Sequence, residues 1–527
     1  MGKNLKMIGV LVSRSQITVS YSCLSGGFLK RRFSISTWNR AAAKPSYMHN
    51  PGSSPLSAIT TGQLIDIAAS QWGHKEALVS VHQGHRYTYK EMKERGDQLA
   101  AGLLSIGLKP GDRLGLWGPN SSEWYLTFMA AARAGLILVN INPAYQISEL
   151  RYCLSKVGVK ALIAPESFKT QKYHEMISNI APEVKKCDPG NLQCEELPDL
   201  KSVIMISENN LPGSYLFDEI INKATPELLT EVQELQTYIQ PDEGCNLQFT
   251  SGTTGKAKAT LLSHHNTINN MLQFGKRLEL FCMDHRICLQ VPLFHCFGNV
   301  LGLLAGLCYG STIVLPGPSA PVSKELIYQL KETFNLKRVA EGYGMTETSP
   351  ISFASLPNDS VERMCTAVGY IMDHIEAKIV DEKGKVVPFG KPGELWIRGY
   401  NTIDQFILYE DGYGQIVGRI KDMIIRGGEN IFPVEVEHFL EEHPEILEAQ
   451  VVGVPDERMG EEMCACLRLE KGSTLTAKQI KDYCKGKIAH FKIPRYYKFL
   501  TEFPKTQSGK IQKFQLRNIL LKEGINT

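Results

Sequence analysis

The stretch TSGTTGKAKATLLSHHN at residues 250–266 gathers hydroxyl side chains, glycines and lysines within a few positions. Such clusters usually mark a plain loop between regular elements. Here the run CNLQFT, residues 245–250, is apolar enough to predict a strand end. The run ATLLSHHNTINNML, residues 259–272, carries apolar side chains that fit one helix face. A strand followed by a flexible, hydroxyl-rich loop with lysine is a geometry that wraps phosphate groups. The Walker sequence is absent, so a phosphate loop of another type is predicted.

The predicted phosphate loop has nine positions, all of them candidate ATP-binding residues. They are Thr250, Ser251, Gly252, Thr253, Thr254, Gly255, Lys256, Ala257 and Lys258.

Helical and strand-like segments alternate around this loop. Leu99, Leu103 and Leu104 follow a helical spacing, and RLGLWG (113–118) and LILVNI (136–141) read as strands. Alternation of this kind predicts a layered α/β fold with mostly parallel sheets. Near the C-terminus Pro433 opens a predicted helix, which precedes the predicted strands EAQVVGV and EMCACLRLE. We therefore predict a large α/β domain at residues 55–418 and a small mobile α+β domain at residues 419–527.

Composition excludes several classes of protein. Hydrophobic residues make up 43% of the 527 residues and charged residues 21%, as in ordinary globular proteins. A net charge of +3 is too small to indicate nucleic-acid binding. The 13 cysteines are scattered without zinc-site spacing. No apolar run reaches membrane-spanning length; VLGLLAGLCYGSTIVL (300–315) is broken by polar residues and predicts a buried helix–strand pair.

The N-terminal region differs from the rest of the chain. Asp66 is the first acidic residue, and the segment before it is rich in lysine, arginine and serine. This composition is typical of an organellar transit peptide. We predict a disordered mitochondrial transit peptide at residues 1–50 and location in the mitochondrial matrix. The alternative is a disordered basic tail without a targeting role.

Several further motifs occur in a fixed order along the chain. They are TSGTTGKAK (250–258), EGYGMTETSP (341–350), GELWIRG (393–399), IVGRIKDMIIRGGENIFP (416–433) and PKTQSGKIQKF (504–514). In this order they resemble the adenylate-forming superfamily of acyl-CoA synthetases, luciferases and peptide-synthetase adenylation domains. Within that superfamily NINPAYQISELRYCL (140–154) and CKGKIAHFKIPRYYKF (484–499) are most similar to mitochondrial enzymes for medium-chain fatty acids.

The resemblance implies a two-step reaction with ATP, Mg²⁺ and coenzyme A. A carboxylate attacks the α-phosphate of ATP to give acyl-adenylate and pyrophosphate, and coenzyme A then displaces AMP to give a thioester. The expected partners are therefore small molecules only. Charge neutralisation on the triphosphate and a dry site for the acyl group are what such chemistry requires.

The resemblance also assigns roles to individual residues. In GYGMTE, Glu347 resembles the Mg²⁺-linked carboxylate, Thr346 the residue beside the α-phosphate, and Tyr343 the aromatic residue against adenine. Lys510 resembles the catalytic lysine that bridges the carboxylate and the α-phosphate during adenylation. A magnesium ion suits one carboxylate together with phosphate oxygens.

The remaining roles concern the ribose, the interdomain hinge and the coenzyme A side. Arg419 and Asp404 resemble the ribose-binding pair, and Lys421 resembles the hinge on which the C-terminal domain rotates. Gly427 and Gly428 resemble the loop that faces the coenzyme A channel after this rotation. His295 is either a gate of the acyl pocket or a satisfied core histidine.

The chain also departs from the family pattern. Ala257 and Ala259 stand where the phosphate loop of the family prefers proline and glycine. Near residue 317, between Pro316 and Ser319, roughly 55 residues of the family pattern are missing, enough for a strand and a helix. Near residue 400 roughly 25–30 residues are missing, about one βαβ unit. Two hypotheses follow: a working ATP-dependent medium-chain acyl-CoA ligase, or a shortened and catalytically impaired form that binds nucleotide weakly or not at all.

Overall fold

The protein is described by a computed structural model. It covers residues 44–250, 257–318, 340–360, 363, 367–381, 383–399, 403–408, 414–418, 424–427, 429–431, 433–504 and 513–523. The helices are α1 Thr61–Trp72, α2 Tyr89–Ser105, α3 Ser122–Arg133, α4 Ile147–Val157, α5 Tyr173–Ile180, α6 Phe217–Asn222, α7 Pro226–Leu235, α8 His264–Arg277, α9 Leu304–Tyr309, α10 Pro433–Glu441, α11 Ala477–Cys484 and α12 Lys513–Glu523. A π-helical turn, Phe297–Leu303, runs directly into α9.

Twenty-six strands are described. They are β1 Tyr47–Asn50, β2 Glu76–Ser80, β3 His85–Thr88, β4 Arg113–Trp117, β5 Ile137–Ile141, β6 Val159–Pro165, β7 Ser167–Phe168, β8 Gln171–Lys172, β9 Ser202–Ile206, β10 Ser214–Leu216, β11 Gly244–Thr250, β12 Lys258–Ser263, β13 Arg286–Cys288, β14 Thr312–Leu315, β15 Gly342–Gly344, β16 Ile351–Ala354, β17 Tyr370–Ile371, β18 Ile375–Val380, β19 Gly393–Arg398, β20 Ile403–Leu408, β21 Gly414–Gly418, β22 Ile424–Arg426, β23 Glu429–Ile431, β24 Ile446–Asp456, β25 Gly460–Leu469 and β26 Tyr496–Phe499.

A seven-stranded sheet forms the centre of the large domain, in the order β10-β9-β6-β4-β5-β11-β12. Its strands are parallel from β10 to β11, and β12 alone runs antiparallel. Leu114, Leu116 and Val139 are at most 1% exposed. Continuous apolar strands of this kind belong to a parallel sheet that is covered on both faces. The predicted α/β fold is confirmed, as are the predicted strands at β4 and β5.

A second sheet of four strands, β13-β14-β2-β3, lies in the same large core. Its first three strands are parallel. Strand β13 is the last strand on its side among the residues that the structure describes, although Ile287 is fully buried. The π-helical turn runs into α9, which leads to β14 in this sheet. These buried elements confirm the helix–strand pair predicted from the apolar run at residues 300–315.

An antiparallel sheet, β1-β18-β19-β20-β21, completes the large domain. Strand β1 pairs with β18, and Ser46 beside it is fully buried. Residues 44–50 therefore belong to the folded body, so the predicted disorder does not extend over them, whereas the transit-peptide boundary at residue 50 stays a prediction. Residues 1–43 lie outside the described part of the chain. Strands β19 and β20 form a hairpin that places Asp404 opposite Leu395.

One predicted helix is shorter than expected. Residues 258–263 form β12, which pairs in antiparallel register with β11, and α8 begins only at His264. The reason is that successive side chains alternate between buried and exposed. Leu262 is buried whereas Leu261 is 54% exposed, which suits a strand with one covered face. Ser263 then caps the helix, since its hydroxyl accepts from the Asn266 amide at 3.2 Å.

The C-terminal residues form a separate sheet, β23-β22-β25-β24, with β26 parallel to β25. The predicted helix at Pro433 is α10, and it packs its buried Val436 and Leu440 inward. Helix α12 contributes Leu516 and Leu520 to a small core with Val452 and Val454 on β24. Within the described residues no helix is long and apolar enough to cross a membrane.

Candidate active site

The predicted phosphate loop lies at the turn between β11 and β12. Thr250 ends β11 and pairs with Lys258 at the start of β12, so the structure fixes both ends of this loop. The Tyr152 hydroxyl donates to the Ala257 carbonyl at 2.9 Å, which ties one end of the loop to α4. Ser251, Gly252, Thr253, Thr254, Gly255 and Lys256 lie outside the described residues.

The acidic motif GYGMTE lies beside this loop. Residues Gly342–Gly344 form β15, and a 3₁₀ turn at Thr346–Thr348 follows directly. The Thr348 hydroxyl accepts a hydrogen bond from the Met345 amide at 2.9 Å and donates one to the Pro350 carbonyl. These bonds fix the turn so that Glu347 extends toward β11.

Thr250 and Glu347 meet, although they belong to different motifs. The Thr250 hydroxyl donates to Oε1 of Glu347 at 3.4 Å. The end of the phosphate loop and the predicted metal-linked carboxylate are thereby brought together. Tyr343 lies on the neighbouring strand β15, with its ring centroid 6.2 Å from that of Phe353.

His295 and Cys296 extend the same site toward the π-helical turn. The Cys296 sulfur lies 3.6 Å from the Thr346 hydroxyl and 3.8 Å from Nδ1 of His295. Burial favours the neutral form of the His295 ring. The neighbouring Cys296 sulfur favours the charged form, and it raises the pKa of His295 to about 9. The Phe297 amide, however, donates to Nδ1 at 3.2 Å, and only an unprotonated Nδ1 can accept that bond. We therefore assign the neutral ring with its proton on Nε2.

A buried amide network lies behind the site. Asn246 on β11 accepts from Asn140 on β5 at 2.7 Å and from Gln248 at 2.8 Å. Asn246 in turn donates to Asn299 in the π-helical turn at 3.0 Å. All four side chains are at most 3% exposed. Buried hydrogen bonds of this kind favour one arrangement of β5, β11 and the π-helical turn, although Oδ1 of Asn140 has no partner among the described residues. The sequence analysis missed this network, and the available signal was the presence of amide residues within otherwise apolar strands.

The C-terminal sheet reaches the site through the β22–β23 hairpin. Gly427 lies in this turn with a φ of 57°, and a Cβ there would come within 2.5 Å of Met459. On β23 the Glu429 carboxylate accepts from Asn142 at 3.4 Å. Burial raises the pKa of Glu429 even though Lys492 and the bond from Asn142 act in the opposite direction, and the His295 ring lies close enough to interact with its carboxylate. The RGGEN motif therefore lies against the large domain near His295. Gly428 is outside the described residues.

Arg419, Lys421 and Lys510 lie outside the described residues. Asp404 is described only as a backbone position on β20. The described residues contain no group of three or more His, Cys, Asp or Glu side chains that could hold a metal ion by themselves.

Comparison with known proteins decides the family. The family description "AMP-binding enzyme" matches residues 65–321 and 317–405, and "AMP-binding enzyme C-terminal domain" matches residues 435–510. The chain belongs to the AMP-binding enzyme family. The predicted superfamily is thus confirmed, and with it an acid–thiol ligase that acts on small molecules.

Members of this family with high similarity come from several organisms. A Mus musculus protein named medium-chain acyl-CoA ligase ACSF2, mitochondrial, is 42% identical, and the alignment covers 90% of this chain and 89% of the relative. A Danio rerio protein of the same name is 41% identical, with 90% of each chain covered. The Bacillus subtilis protein YngI is 35% identical, with 87% of this chain and 96% of YngI covered. The similarity to medium-chain enzymes predicted from residues 140–154 and 484–499 is confirmed.

Solved structures support the same fold. The amide bond synthetase McbA from Marinactinospora thermotolerans has a TM-score of 0.71 at 20% identity, covering 86% of this chain and 99% of McbA. The o-succinylbenzoate CoA synthetase MenE from Bacillus subtilis has a TM-score of 0.69 at 21% identity, covering 88% and 99%. At such identities the likeness establishes architecture alone.

The match to the family is interrupted at one place. The two matched parts of the AMP-binding description meet at residues 317–321. The mouse alignment runs over 549 positions, whereas 90% of 527 residues is about 474, so about 75 of its positions face gaps in this chain.

Proposed function

We propose that this protein is an ATP-dependent medium-chain fatty acid–CoA ligase. A fatty acid carboxylate attacks the α-phosphate of ATP, pyrophosphate leaves, and the coenzyme A thiol then displaces AMP from the acyl-adenylate. The observation that carries the proposal is the contact between Thr250 and Glu347, which joins the phosphate loop to an acidic turn. The names of the relatives from mouse and zebrafish support the substrate class.

The residues around this contact support a division of roles. The backbone of the phosphate loop and Lys256 would hold the β- and γ-phosphates. Thr346 would donate to the α-phosphate, and Tyr343 would pack against adenine. Glu347, which belongs to no group of three or more His, Cys, Asp or Glu side chains among the described residues, fits a magnesium ion that takes other ligands from phosphate oxygens and water. Such an ion would neutralise charge on the triphosphate.

Four further residues complete the proposal. Asp404 and Arg419 would bind the ribose, Lys510 would bridge the substrate carboxylate and the α-phosphate, and Lys421 would act as the hinge. The proximity of Glu429 to Asn142 and His295 supports assigning the present arrangement to the second half-reaction. In that arrangement the RGGEN hairpin faces the site where coenzyme A must arrive.

The protein is expected in the mitochondrion, specifically in the matrix. The acid-free, basic N-terminal segment and the mitochondrial relatives both support this location. Residues 1–43 fused to a fluorescent protein should enter mitochondria and resist external protease after import. A fusion that stays in the cytosol would contradict the localisation.

One observation favours the second hypothesis, an impaired ligase. The interruption of the family match at residues 317–321 coincides with the predicted loss of a strand and a helix. A chain that lacks these elements would keep the nucleotide-binding motifs but would lose part of the large-domain sheet.

The proposal is tested by pyrophosphate release in the presence of fatty acids of graded chain length. The acyl-CoA product is measured in parallel by mass spectrometry. Lys510→Ala should lower pyrophosphate release by about 10²-fold or more, since it removes one preorganised charge. Thioester formation from supplied acyl-adenylate should change much less. Product that does not depend on Lys510, or the absence of any fatty acid dependence, would contradict the proposal.

A further inference from the structure

A buried ion triad joins the C-terminal sheet to the large domain. Nζ of Lys492 lies 2.6 Å from Oε1 of Glu149 on α4 and 2.6 Å from Oε1 of Glu435 on α10. The side chain of Lys492 is 6% exposed, and those of Glu149 and Glu435 are 13% and 21% exposed. The Tyr145 ring centroid lies 5.0 Å from the same ammonium group. The Lys492 ammonium group thus has almost no contact with solvent and is bound from both sides of the interface.

The large domain presents its part of the triad on a rigid support. The second oxygen of Glu149 accepts from the Gln146 amide at 2.8 Å, which closes a capping box at the start of α4. One carboxylate therefore fixes the helix end with one oxygen and binds Lys492 with the other.

Lys492 is also tied to the hairpin that enters the active site. Nη1 of Arg426 donates to the carbonyls of Phe491 at 2.8 Å and Ile493 at 2.9 Å, on either side of Lys492. Arg426 ends β22 and directly precedes Gly427, and β23 follows with Glu429. The position of Lys492 at the interface and the position of the RGGEN hairpin at the site are therefore coupled through Arg426.

A rotation of the C-terminal domain would affect the two ion pairs of Lys492 differently. Glu435 and Lys492 belong to the same C-terminal sheet and helix, so their pair moves as a unit. Glu149 belongs to the large domain, so rotation breaks its pair with Lys492. The contact between Lys492 and Glu149 hence exists in one arrangement only. A contact present in one state and absent in the other shifts the equilibrium between them.

We propose that Lys492 is a positioning residue that holds the C-terminal domain in the arrangement for thioester formation through its ion pair with Glu149. This inference rests on the proposed two-step function. When the pair with Glu149 breaks, Glu435 keeps the lysine paired, so the domain can turn without leaving a buried charge alone.

The test follows the interface directly, without relying on ligase activity. The Ser148 hydroxyl lies 3.5 Å from the Lys487 carbonyl across the same interface. Cysteines introduced as Ser148→Cys and Lys487→Cys in the full-length chain should form a disulfide under mild oxidation, identified by mass spectrometry of the joined peptides. Adding Glu149→Gln should slow this trapping about tenfold, equivalent to about 1.4 kcal/mol. The glutamine keeps an oxygen for the Gln146 amide, so α4 retains its cap.

A matched control carries the same change at an exposed ion pair. Glu175 on α5 pairs with Lys172 and is 64% exposed, and Glu175→Gln should leave trapping unchanged. Trapping that is insensitive to Glu149→Gln, or equally sensitive to Glu175→Gln, would overturn the proposal.

A second readout separates the half-reactions. Glu149→Gln and Lys492→Met should slow thioester formation from supplied acyl-adenylate more than they slow pyrophosphate release, and Lys492→Arg should restore part of the loss. An equal loss in both half-reactions would overturn the positioning role. If the unmodified chain forms no thioester while trapping still depends on Glu149, the proposed function fails and the interface role stands.

Discussion

The Thr250 hydroxyl donates to Oε1 of Glu347 over 3.4 Å and connects two motifs that lie 97 residues apart in the chain. One motif ends a strand of the seven-stranded sheet, and the other forms a 3₁₀ turn after β15. The contact places a carboxylate at the end of the loop for which we propose phosphate binding. The proposal includes a cation between carboxylate and phosphate, since two anions would otherwise repel each other.

Replacing Glu347 by Gln should impair the first half-reaction selectively. The substitution keeps the hydrogen bond from Thr250 but removes the charge that would hold magnesium. Pyrophosphate release should fall by about 10²-fold, whereas thioester formation from supplied acyl-adenylate should change little. Glu376→Gln, the same change on β18 far from the site, should leave both rates unaltered. Equal loss in both half-reactions would argue against a metal-linked role for Glu347.

The sequence predicted those parts of the fold in which local pattern and tertiary environment agree. Strands β4 and β5 are apolar on both faces because they are central strands, and their pattern alone indicates this. Residues 259–263 were predicted wrongly as helix because their leucines fit either period. Only the pairing with β11, a tertiary contact, makes them a strand.

In the candidate site, too, local motifs could be predicted from the sequence whereas tertiary contacts could not. Motif order identified Thr250, Thr346 and Glu347, which the structure brings together with Cys296. The buried amides of Asn140, Asn246 and Asn299 and the triad around Lys492 could not be predicted. Their partners are distant in sequence, and a single asparagine or lysine has no periodic pattern. Lysine is rarely buried unless it is paired, so its burial becomes visible only when Glu149 and Glu435 are seen beside it.

Arg133 should be a major determinant of large-domain stability. Its fully buried guanidinium binds Asp97 at 2.6 Å and Asp66 at 2.7 Å, and it also donates to Gln233 at 2.8 Å. Arg133→Met would leave Asp66 and Asp97 with only the partly exposed Lys93 as a shared cation, which should lower the free energy of unfolding by about 3 kcal/mol. Urea unfolding measures the change.

The exposed pair of Arg86 and Glu76 provides the matched control. Arg86 is 58% exposed, so Arg86→Met should cost less than about 1 kcal/mol. The double variant Arg133→Met with Asp97→Leu should lose less than the sum of the single changes, because the second removes a carboxylate that has already lost one of its two cations. Similar costs for Arg133→Met and Arg86→Met would refute this account.

His264 should make stability fall in acid. Its ring is 2% exposed, and Nδ1 accepts from the Thr61 amide at 3.2 Å. Burial lowers the pKa of His264 to about 4, below the usual value of about 6.5. The unfolded chain therefore binds a proton more readily, and the stability present above pH 6.5 is lost as the pH falls toward 4. Between pH 7.5 and pH 5 this loss should reach about 2 kcal/mol.

The variant His264→Asn isolates this titration. The asparagine oxygen can replace Nδ1 as acceptor for the Thr61 amide, but it does not titrate. The variant should be less stable at pH 7.5 through lost packing, yet its unfolding midpoint should change less between pH 7.5 and pH 5. His49→Asn, at an exposed position, should keep the full acid dependence of the parent. An unchanged pH dependence in His264→Asn would mean that other groups control acid unfolding.

The two places at which the sequence predicts missing residues, near 317 and near 400, should differ in consequence. Near residue 400 the structure closes β19 and β20 into a hairpin, so the antiparallel sheet continues across the gap. Near residue 317 the chain leaves β14, and β13 remains the last strand of its sheet within the described residues. A parallel strand with an uncovered edge exposes unpaired backbone groups and apolar side chains. Each buried apolar side chain lost there costs about 1.5–3 kcal/mol, against a typical domain stability of about 5–15 kcal/mol.

Inserting the missing segment near residue 317 should therefore increase both solubility and ligase activity. The insert would be the stretch of the mouse relative that faces the gap between Pro316 and Ser319. If the second hypothesis holds, the chain as it stands is poorly soluble and weakly active or inactive, and the first insertion restores most of the thioester formation. An insertion only near residue 400 should have a smaller effect, because the hairpin there already closes.

Lys510→Ala in the restored chain should abolish the gain, which shows that the same site is responsible. Soluble protein yield and acyl-CoA production are measured side by side for all forms. Comparable turnover from the unmodified chain would show that the large-domain sheet tolerates the loss of a strand and a helix.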